Sequence, residues 1–330
     1  MIDERKQDHL EICMRDRVEA GDSGFKNVRL VHEAFPEVDF DSLKTDVVFL
    51  GKKLKFPLMV SAMTGGTRSS TKINRDIAEV AQEYGIGMGV GSQRAALEDR
   101  TLEDTFKVKD SAPNLPFLVA NLGAVQLNYG YGVSECRRAI EMIDADAIAL
   151  HVNPLQEVVQ PEGDRNFSNL IAKVNKIASE LKQPVIAKCV GEGITYSTAK
   201  KLKVDAIDVA GVGGTSWSLV ESYRNRGIHQ KVGAEFAGWG LSTVDSIRQC
   251  AKLKTPLIGS GGIRSGIDAA KAVALGAGIV GIGLPVLKAW SLNSRDGIRT
   301  FFDRFTLEFK IAMFLTGSKK VSELRGKVVE

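Results

Sequence analysis

The first residue that needs a chemical explanation is Lys188, an amine standing inside the apolar run Val185-Ile186-Ala187-Lys188-Cys189-Val190. Burying an ammonium among aliphatic neighbours is costly unless a partner offsets its lost hydration. Two partners suit it: a carboxylate elsewhere in the fold, giving a salt bridge, or a bound electron-rich ring whose anionic form the positive charge would favour. A second concentration lies at His151, Asn153, Gln156 and Glu157, a histidine, two amides and a carboxylate close together in the chain. The carboxylate could hold Mg²⁺ for a polyphosphate, because that ion takes oxygen ligands and shares its shell with phosphate and water. His151 alone fits an ordinary hydrogen-bonding role as well as a functional one. Glycines cluster in Gly259-Ser260-Gly261-Gly262-Ile263-Arg264-Ser265-Gly266 and again in Gly281-Ile282-Gly283. Backbone of that kind can approach an anion closely, and N–H groups at the entry to a helix at Ile267 can point at it. Near the start of the chain, Arg5, Lys6 and His9 form a basic cluster that fits either a solvated face or a grip on phosphate.

These residues are punctuated by eight short apolar runs: 57–63, 86–92, 116–122, 147–152, 184–190, 206–210, 256–259 and 279–283. The runs are nearly continuous rather than alternating, as in parallel strands covered on both faces. Four open on a proline, which a strand tolerates at its first position. Between them lie amphipathic segments such as 73–84, with Ile73, Ile77, Val80, Ala81 and Tyr84 on one face, and 169–181, with Leu170, Val174, Ile177 and Leu181. The pattern predicts an α/β fold, a (β/α)8 TIM barrel over 56–330 preceded by an N-terminal extension, 1–55, that packs on it, with a final amphipathic helix over 296–315. An open doubly wound sheet is the competitor, but its nucleotide loop would follow the first strand, and Ser61-Ala62-Met63-Thr64-Gly65-Gly66 lacks the G-x-G-x-x-G spacing. In a barrel the carboxyl ends of the strands share one face. Unusual polar residues or glycines stand at every expected end, from Thr64 and Ser92-Gln93-Arg94 through Asn121, His151 and Lys188 to Thr215 and the two glycine clusters. The loops after the seventh and eighth strands are where such barrels bind phosphate.

Composition narrows the function classes. Of 330 residues, 44 are Lys or Arg against 40 Asp or Glu, a formal charge of +4, so no broad basic field points to nucleic acid. The uncharged stretch between Lys271 and Lys288 is interrupted by four glycines and Pro285, too broken for a bilayer span. No apolar signal core follows Met1, and Cys13, Cys136, Cys189 and Cys250 are too scattered for a C-x-x-C pair, so a reducing cytoplasm is expected.

Taken together, the motifs Arg5-Lys6 with His9, Met63-Thr64-Gly65-Gly66, Gly91-Ser92-Gln93-Arg94, His151-Val152-Asn153-Pro154-Leu155-Gln156-Glu157, Gly213-Gly214-Thr215-Ser216-Trp217 and Gly261-Gly262-Ile263-Arg264 make the chain resemble the type 2 isopentenyl diphosphate isomerases over nearly its whole length. The resemblance implies isomerisation of isopentenyl to dimethylallyl diphosphate by a 1,3-proton shift, with reduced FMN as acid and base and no net redox. It implies an FMN held by Met63, Thr64, Gly65, Ser92, Asn121, Lys188 and Thr215, its phosphate among Gly261, Gly262, Arg264, Gly283 and Leu284. It implies a substrate diphosphate gripped by Arg5, Lys6, His9, Ser92, Gln93 and Arg94 with Asn153 nearby, and Gln156, Lys188 and His151 as the catalytic set. Glu157 corresponds to the Mg²⁺ ligand, NADPH or NADH to the reductant, and a homotetramer or homo-octamer to the assembly.

Three other readings compete. α-Hydroxy-acid oxidases, also FMN barrels, need a His-Gly-Gly-Arg-Gln pattern after a late strand, where this chain has Ala210-Gly211-Val212-Gly213-Gly214-Thr215-Ser216-Trp217. Nucleotide-acting barrels such as inosinate dehydrogenase need a nucleophilic cysteine after the sixth strand, and 211–240 contain none. A non-catalytic flavin- or phosphate-binding barrel would explain the glycine loops but not Gln156, Glu157 and the Arg5/Lys6 pair.

Overall fold

The computed structural model describes residues 2–329, so one residue of the expected extension and one of the expected barrel lie outside the described residues. The chain runs α1 (Ile2–Arg15), β1 (Val47–Phe49), β2 (Lys52–Leu54), β3 (Leu58–Val60), α2 (Arg68–Tyr84), β4 (Gly87–Gly89), α3 (Arg94–Glu98), β5 (Leu118–Gly123), α4 (Val133–Ile143), β6 (Ala147–Val152), α5 (Pro154–Val159) and α6 (Leu170–Glu180). It continues β7 (Val185–Cys189), α7 (Tyr196–Ala199), β8 (Ala206–Asp208), α8 (Trp217–Arg224), α9 (Gly227–Glu235), α10 (Thr243–Cys250), β9 (Leu257–Ser260), α11 (Gly266–Ala274), β10 (Ile279–Ile282) and α12 (Leu284–Leu315). Strands β3 to β10 close in sequence order into one parallel barrel, β10 pairing with β3. This is the (β/α)8 architecture the apolar runs predict.

Strand β6 coincides with its run and β5 and β9 reach one residue past theirs, whereas β3, β4, β7, β8 and β10 are shorter than the runs that announce them, chiefly because their carboxyl ends leave the ladder to form site loops. Prolines 57, 184 and 256 stand immediately ahead of β3, β7 and β9, where their carbonyls accept from Val280, Ile148 and Ile207 and no N–H is required. Helix α2 begins earlier than its apolar periodicity suggests. Thr67 and Ser70 form a reciprocal capping box at its start, and Gly85, at φ 63°, ends it. The expected final helix is the second half of α12, which breaks at Asn293 and Ser294 and then buries Ile298, Phe302, Phe305, Phe309, Ala312 and Met313 along one stripe.

Side chains at alternate positions of each strand fill the barrel. Met59, Phe117, Val119, Ala147, Ala149, Ile186, Ala206, Ile258 and Ile279 form a separate inner core, and the antiparallel hairpin β1–β2 adds Phe49 and Leu54 to it. The Phe49 and Phe117 rings meet edge to face at 6.1 Å, so the hairpin closes the amino end of the barrel. Two residues further along the strands, the same inward positions carry Gly89, Asn121, His151, Lys188, Asp208, Ser260 and Gly281. Aliphatic side chains give way there to polar groups and glycine, and the carboxyl end opens. Pairing sets His151 level with Lys188, and Lys188 level with Asp208. Helix α1 lies across that end, anchored by buried Leu10 and Cys13 and packed on α8. Among the described residues no helix is long and apolar enough to cross a membrane.

Candidate active site

The open end of the barrel holds a cavity of about 260 Å³. Its wall includes Arg5, Lys6 and His9 from α1, Met63 after β3, Ser92 and Arg94 after β4, Asn121 on β5, and His151, Asn153, Gln156 and Glu157 from β6 and α5. Lys188, Thr215, Gly261, Gly262, Arg264, Gly283 and Leu284 complete it. Thr64 and Gly65 line an adjoining chamber of about 90 Å³ that ends at Leu10, Cys13 and Leu287. Gln93, expected on the substrate, is turned away. It is fully buried, donates its amide to Ala139 O at 2.8 Å and accepts from Asn121 N at 3.0 Å, so it fixes the strand ends rather than facing the cavity.

The basic cluster on α1 is not a solvated face. Lys6 Nζ donates to the carbonyls of Gly65 and Ser92 at 2.7 and 2.9 Å and lies 5.2 Å above the Phe106 ring. His9 Nε2 lies 2.7 Å from Glu221 Oε1, with its ring edge-on to Trp217 at 5.3 Å. Glu221 is fully buried on α8 and escaped the sequence reading, since a carboxylate on an amphipathic helix reads as surface. It also accepts from Gln156 Nε2 at 3.1 Å and from Arg224 Nε at 2.9 Å. Burial alone would raise its carboxyl, but bonds and charge from His9, Arg224 and Gln156 outweigh it and hold the pKa down at about 2. An ionised carboxylate only accepts, so His9 Nε2 carries a proton and the Gln156 amide points its nitrogen at Glu221. Asn153 Nδ2 donates to Gln156 Oε1 at 3.0 Å. The amide is therefore clamped at both ends, with one N–H and one lone pair left for the cavity.

Replacing Glu221 by Gln tests this clamp: the amide can flip, and Arg224 loses part of its counter-charge. The expected result is a loss of about 1–3 kcal/mol in urea denaturation and of about tenfold to a hundredfold in kcat, through misorientation of Gln156.

A second chain of bonds fixes His151. Asn121 Nδ2 donates to Val90 O at 3.1 Å, which leaves its Oδ1 facing His151 Nδ1 at 2.7 Å. The proton must then sit on Nδ1, and Nε2 is an acceptor. Burial, reinforced by the charge of Lys188, pushes the imidazole down to about 4. With the folded value below the ordinary 6.5, the unfolded chain binds the proton first, so stability from this group is complete above about 6.5 and is lost as pH falls toward 4. Imidazole NMR should show His151 neutral at pH 5.5; a midpoint near 6.5 would refute the assignment.

Lys188 has the salt bridge that burial demands: Nζ lies 3.4 Å from Asp208 Oδ2, with both side chains almost wholly buried, and donates to Cys189 O at 2.9 Å. It also faces the cavity, so the carboxylate partner and a ring partner are compatible.

The glycine loops form a backbone cradle. Gly261 and Gly262 take φ of 100° and 68°, and a Cβ on Gly261 would lie 2.2 Å from Gly211 O, so only glycine fits. The amide of Gly266, which opens α11, does not serve an anion as the sequence suggests. It donates to Glu308 of α12 at 2.7 Å. The amides of Gly262 and Ile263, on the cavity wall, have no hydrogen-bond partner among the described residues. Arg264, also on the wall, is held by Glu19, which the sequence reading also missed. On the opposite wall Arg94 pairs with Glu98 and Asp164, and Gln126 joins it on Asp164. Glu157 accepts from Asn153 Nδ2, Gln160 Nε2 and Asp164 N. The oxygens of Asn153 and Gln160 are buried with no donor among the described residues.

The profile of the FMN-dependent dehydrogenase family matches residues 149–330. An isopentenyl-diphosphate delta-isomerase of Archaeoglobus fulgidus is 47% identical, with 98% of this chain and 94% of that protein covered. One from Nostoc sp. is 44% identical, covering 97% and 93%. The chain belongs to the type 2, FMN-dependent isopentenyl-diphosphate delta-isomerase family. Solved structures of FMN barrels share the fold: a mandelate oxidase mutant with an FMN adduct (TM-score 0.65, 17% identity, 97% and 90% covered) and a mutant flavocytochrome b2 with pyruvate bound (TM-score 0.70, 15% identity, 97% and 82% covered).

Proposed function

We propose that this enzyme converts isopentenyl diphosphate to dimethylallyl diphosphate by a 1,3-allylic proton shift with reduced FMN. The observation that carries the reading is one cavity that combines a glycine-lined phosphate cradle, a charged amine at the barrel level, and a cationic rim around a clamped amide. The cradle fits FMN: Gly262 and Ile263 offer spare amides to its phosphate, with Arg264, Gly283 and Leu284 beside them. Met63, Thr64, Gly65, Ser92, Asn121, Lys188 and Thr215 would hold the ring and ribityl chain. When bound and reduced, the flavin supplies a nitrogen that can give and take a proton beside an electron-rich face.

The chain's own residues supply the rest. Arg5, Lys6, His9, Ser92 and Arg94 would bind the diphosphate and spend that remote binding energy on orientation. Gln156, held by Glu221 and Asn153, aims its spare N–H and lone pair at the reacting carbons. His151 Nε2 presents an acceptor, and Lys188 supplies positive charge from the barrel side. Glu157 has three donors on a carboxylate that accommodates about four, and the donorless oxygens of Asn153 and Gln160 stand beside it. That all-oxygen set fits Mg²⁺ shared with the substrate diphosphate. The reading extends to a cytoplasmic homotetramer or homo-octamer, with NADPH or NADH as reductant and a small-molecule substrate rather than nucleic acid.

Anaerobic incubation of isopentenyl diphosphate with the protein, FMN, Mg²⁺ and NADPH tests it. Dimethylallyl diphosphate is expected only when the flavin is reduced. Flavin that binds and bleaches without product would instead favour a non-catalytic binding role.

A further inference from the structure

Lys188 does not stand alone in the barrel. Asp208 is its register partner on the next strand, 2% exposed and absent from the cavity wall. One carboxylate oxygen accepts the hydroxyl of Ser260 on β9, and the other faces Lys188 Nζ at 3.4 Å. The carboxylate is thus pinned on one side and turned toward the amine on the other. Of the three N–H bonds on the ammonium, one goes to Cys189 O, one is directed by Asp208, and one remains for the cavity.

We propose that the Asp208–Ser260 pair is a positioning unit that keeps Lys188 charged and aimed at the cofactor ring. It rests on the proposed function only in placing a flavin ring over Lys188. The other titratable groups that bear on Lys188 are few. His151 on β6 is level with it and held neutral. Glu192, in the loop after β7, is half-buried, its carboxyl raised by burial against its bond to Cys189, and the buried Cys189 thiol, next in the chain, is pushed up to about 12 by burial. Lys6 on α1 acts on His151 from above. Among the described residues, Asp208 is therefore the one carboxylate that the strands flanking β7 set beside the amine. Without it, burial would work against the charged form of the amine with no carboxylate beside it to offset the cost.

The test uses Asp208→Asn, Asp208→Glu and Ser260→Ala in the full-length protein. In apoprotein, Lys188 acetylation by acetic anhydride is followed against pH by mass spectrometry, which reads the amine's titration without any flavin. In FMN-loaded protein, the reduction potential of the flavin and the pH dependence of kcat and KM are measured. Asp208→Asn is expected to lower the Lys188 titration and the alkaline limb of kcat together by about one pH unit or more, to cut kcat about tenfold or more with KM nearly unchanged, and to shift the potential. Asp208→Glu should restore most of each value. Ser260→Ala, which keeps the charge but frees its aim, should show the same changes at smaller size, and carries the test alone if Asp208→Asn does not fold. An unchanged labelling profile in Asp208→Asn, or in Ser260→Ala where that is the folded variant, overturns the proposal. Failure of the wild type to isomerise would sink the functional reading while the labelling arm still decides the role of Asp208.

Discussion

Gln156→Ala is expected to lower kcat by about two to three orders of magnitude while KM for the diphosphate changes little. The amide is 9% exposed and bonded at both ends, to Glu221 and Asn153. Its spare donor and acceptor therefore reach the cavity in one orientation, with no reorganisation needed when charge shifts in the substrate. Alanine removes that pair and leaves Glu221 and Asn153 each short of a partner, a stability cost of about 1–3 kcal/mol. The diphosphate grip proposed above lies on α1, Ser92 and Arg94, whereas the bonds of the Gln156 amide go to Glu221 and Asn153. A variant with kcat within a few-fold of wild type would remove Gln156 from the mechanism.

Lys188→Ala should have an effect of similar size by a different route. Its ammonium is the positive charge that the barrel strands place under the cavity, and without it an anionic ring at that site loses its counter-charge. We expect kcat to fall about a hundredfold, with FMN still bound through the glycine cradle and its reduction potential lowered. Asp208 would be left buried without its cation, so the fold should weaken by about 3–5 kcal/mol. Wild-type turnover by an FMN-saturated Lys188→Ala protein would end the role assigned to that amine. The two variants differ in what they change: Gln156→Ala leaves the flavin potential in place, whereas Lys188→Ala moves it.

The barrel was readable because strands covered on both faces must be apolar throughout, so eight runs with helical periodicity between them admit few architectures. The hairpin β1–β2 escaped because three-residue strands carry little pattern, although Leu50-Gly51, both at positive φ, makes its turn. Residues at the strand ends were found because their types are out of place in apolar runs. Asp208 carried the same signal as Lys188, within Ala206-Ile207-Asp208-Val209-Ala210, and was passed over. Glu221 and Glu19 gave no such sign, because a carboxylate on a helix or in a polar segment is ordinary until the fold shows what it touches. Gln93 misled in the opposite sense: it stands between Ser92 and Arg94, which face the cavity, yet its amide is taken up by backbone. The glycine loops expected to cradle an anion do line the cavity, but the amides of Gly262 and Ile263, without a partner among the described residues, precede α11, whose own first N–H is taken by Glu308.

In the proposed reaction protons move and electrons do not. Turnover of isopentenyl diphosphate in D₂O, with FMN reduced once by dithionite and the excess reductant removed, measures both at once. Many turnovers per flavin, with solvent deuterium in the dimethylallyl product and the flavin still reduced at the end, is the predicted result. Product that stops at one equivalent per flavin as the flavin oxidises, or product formed equally well by oxidised enzyme, would contradict it.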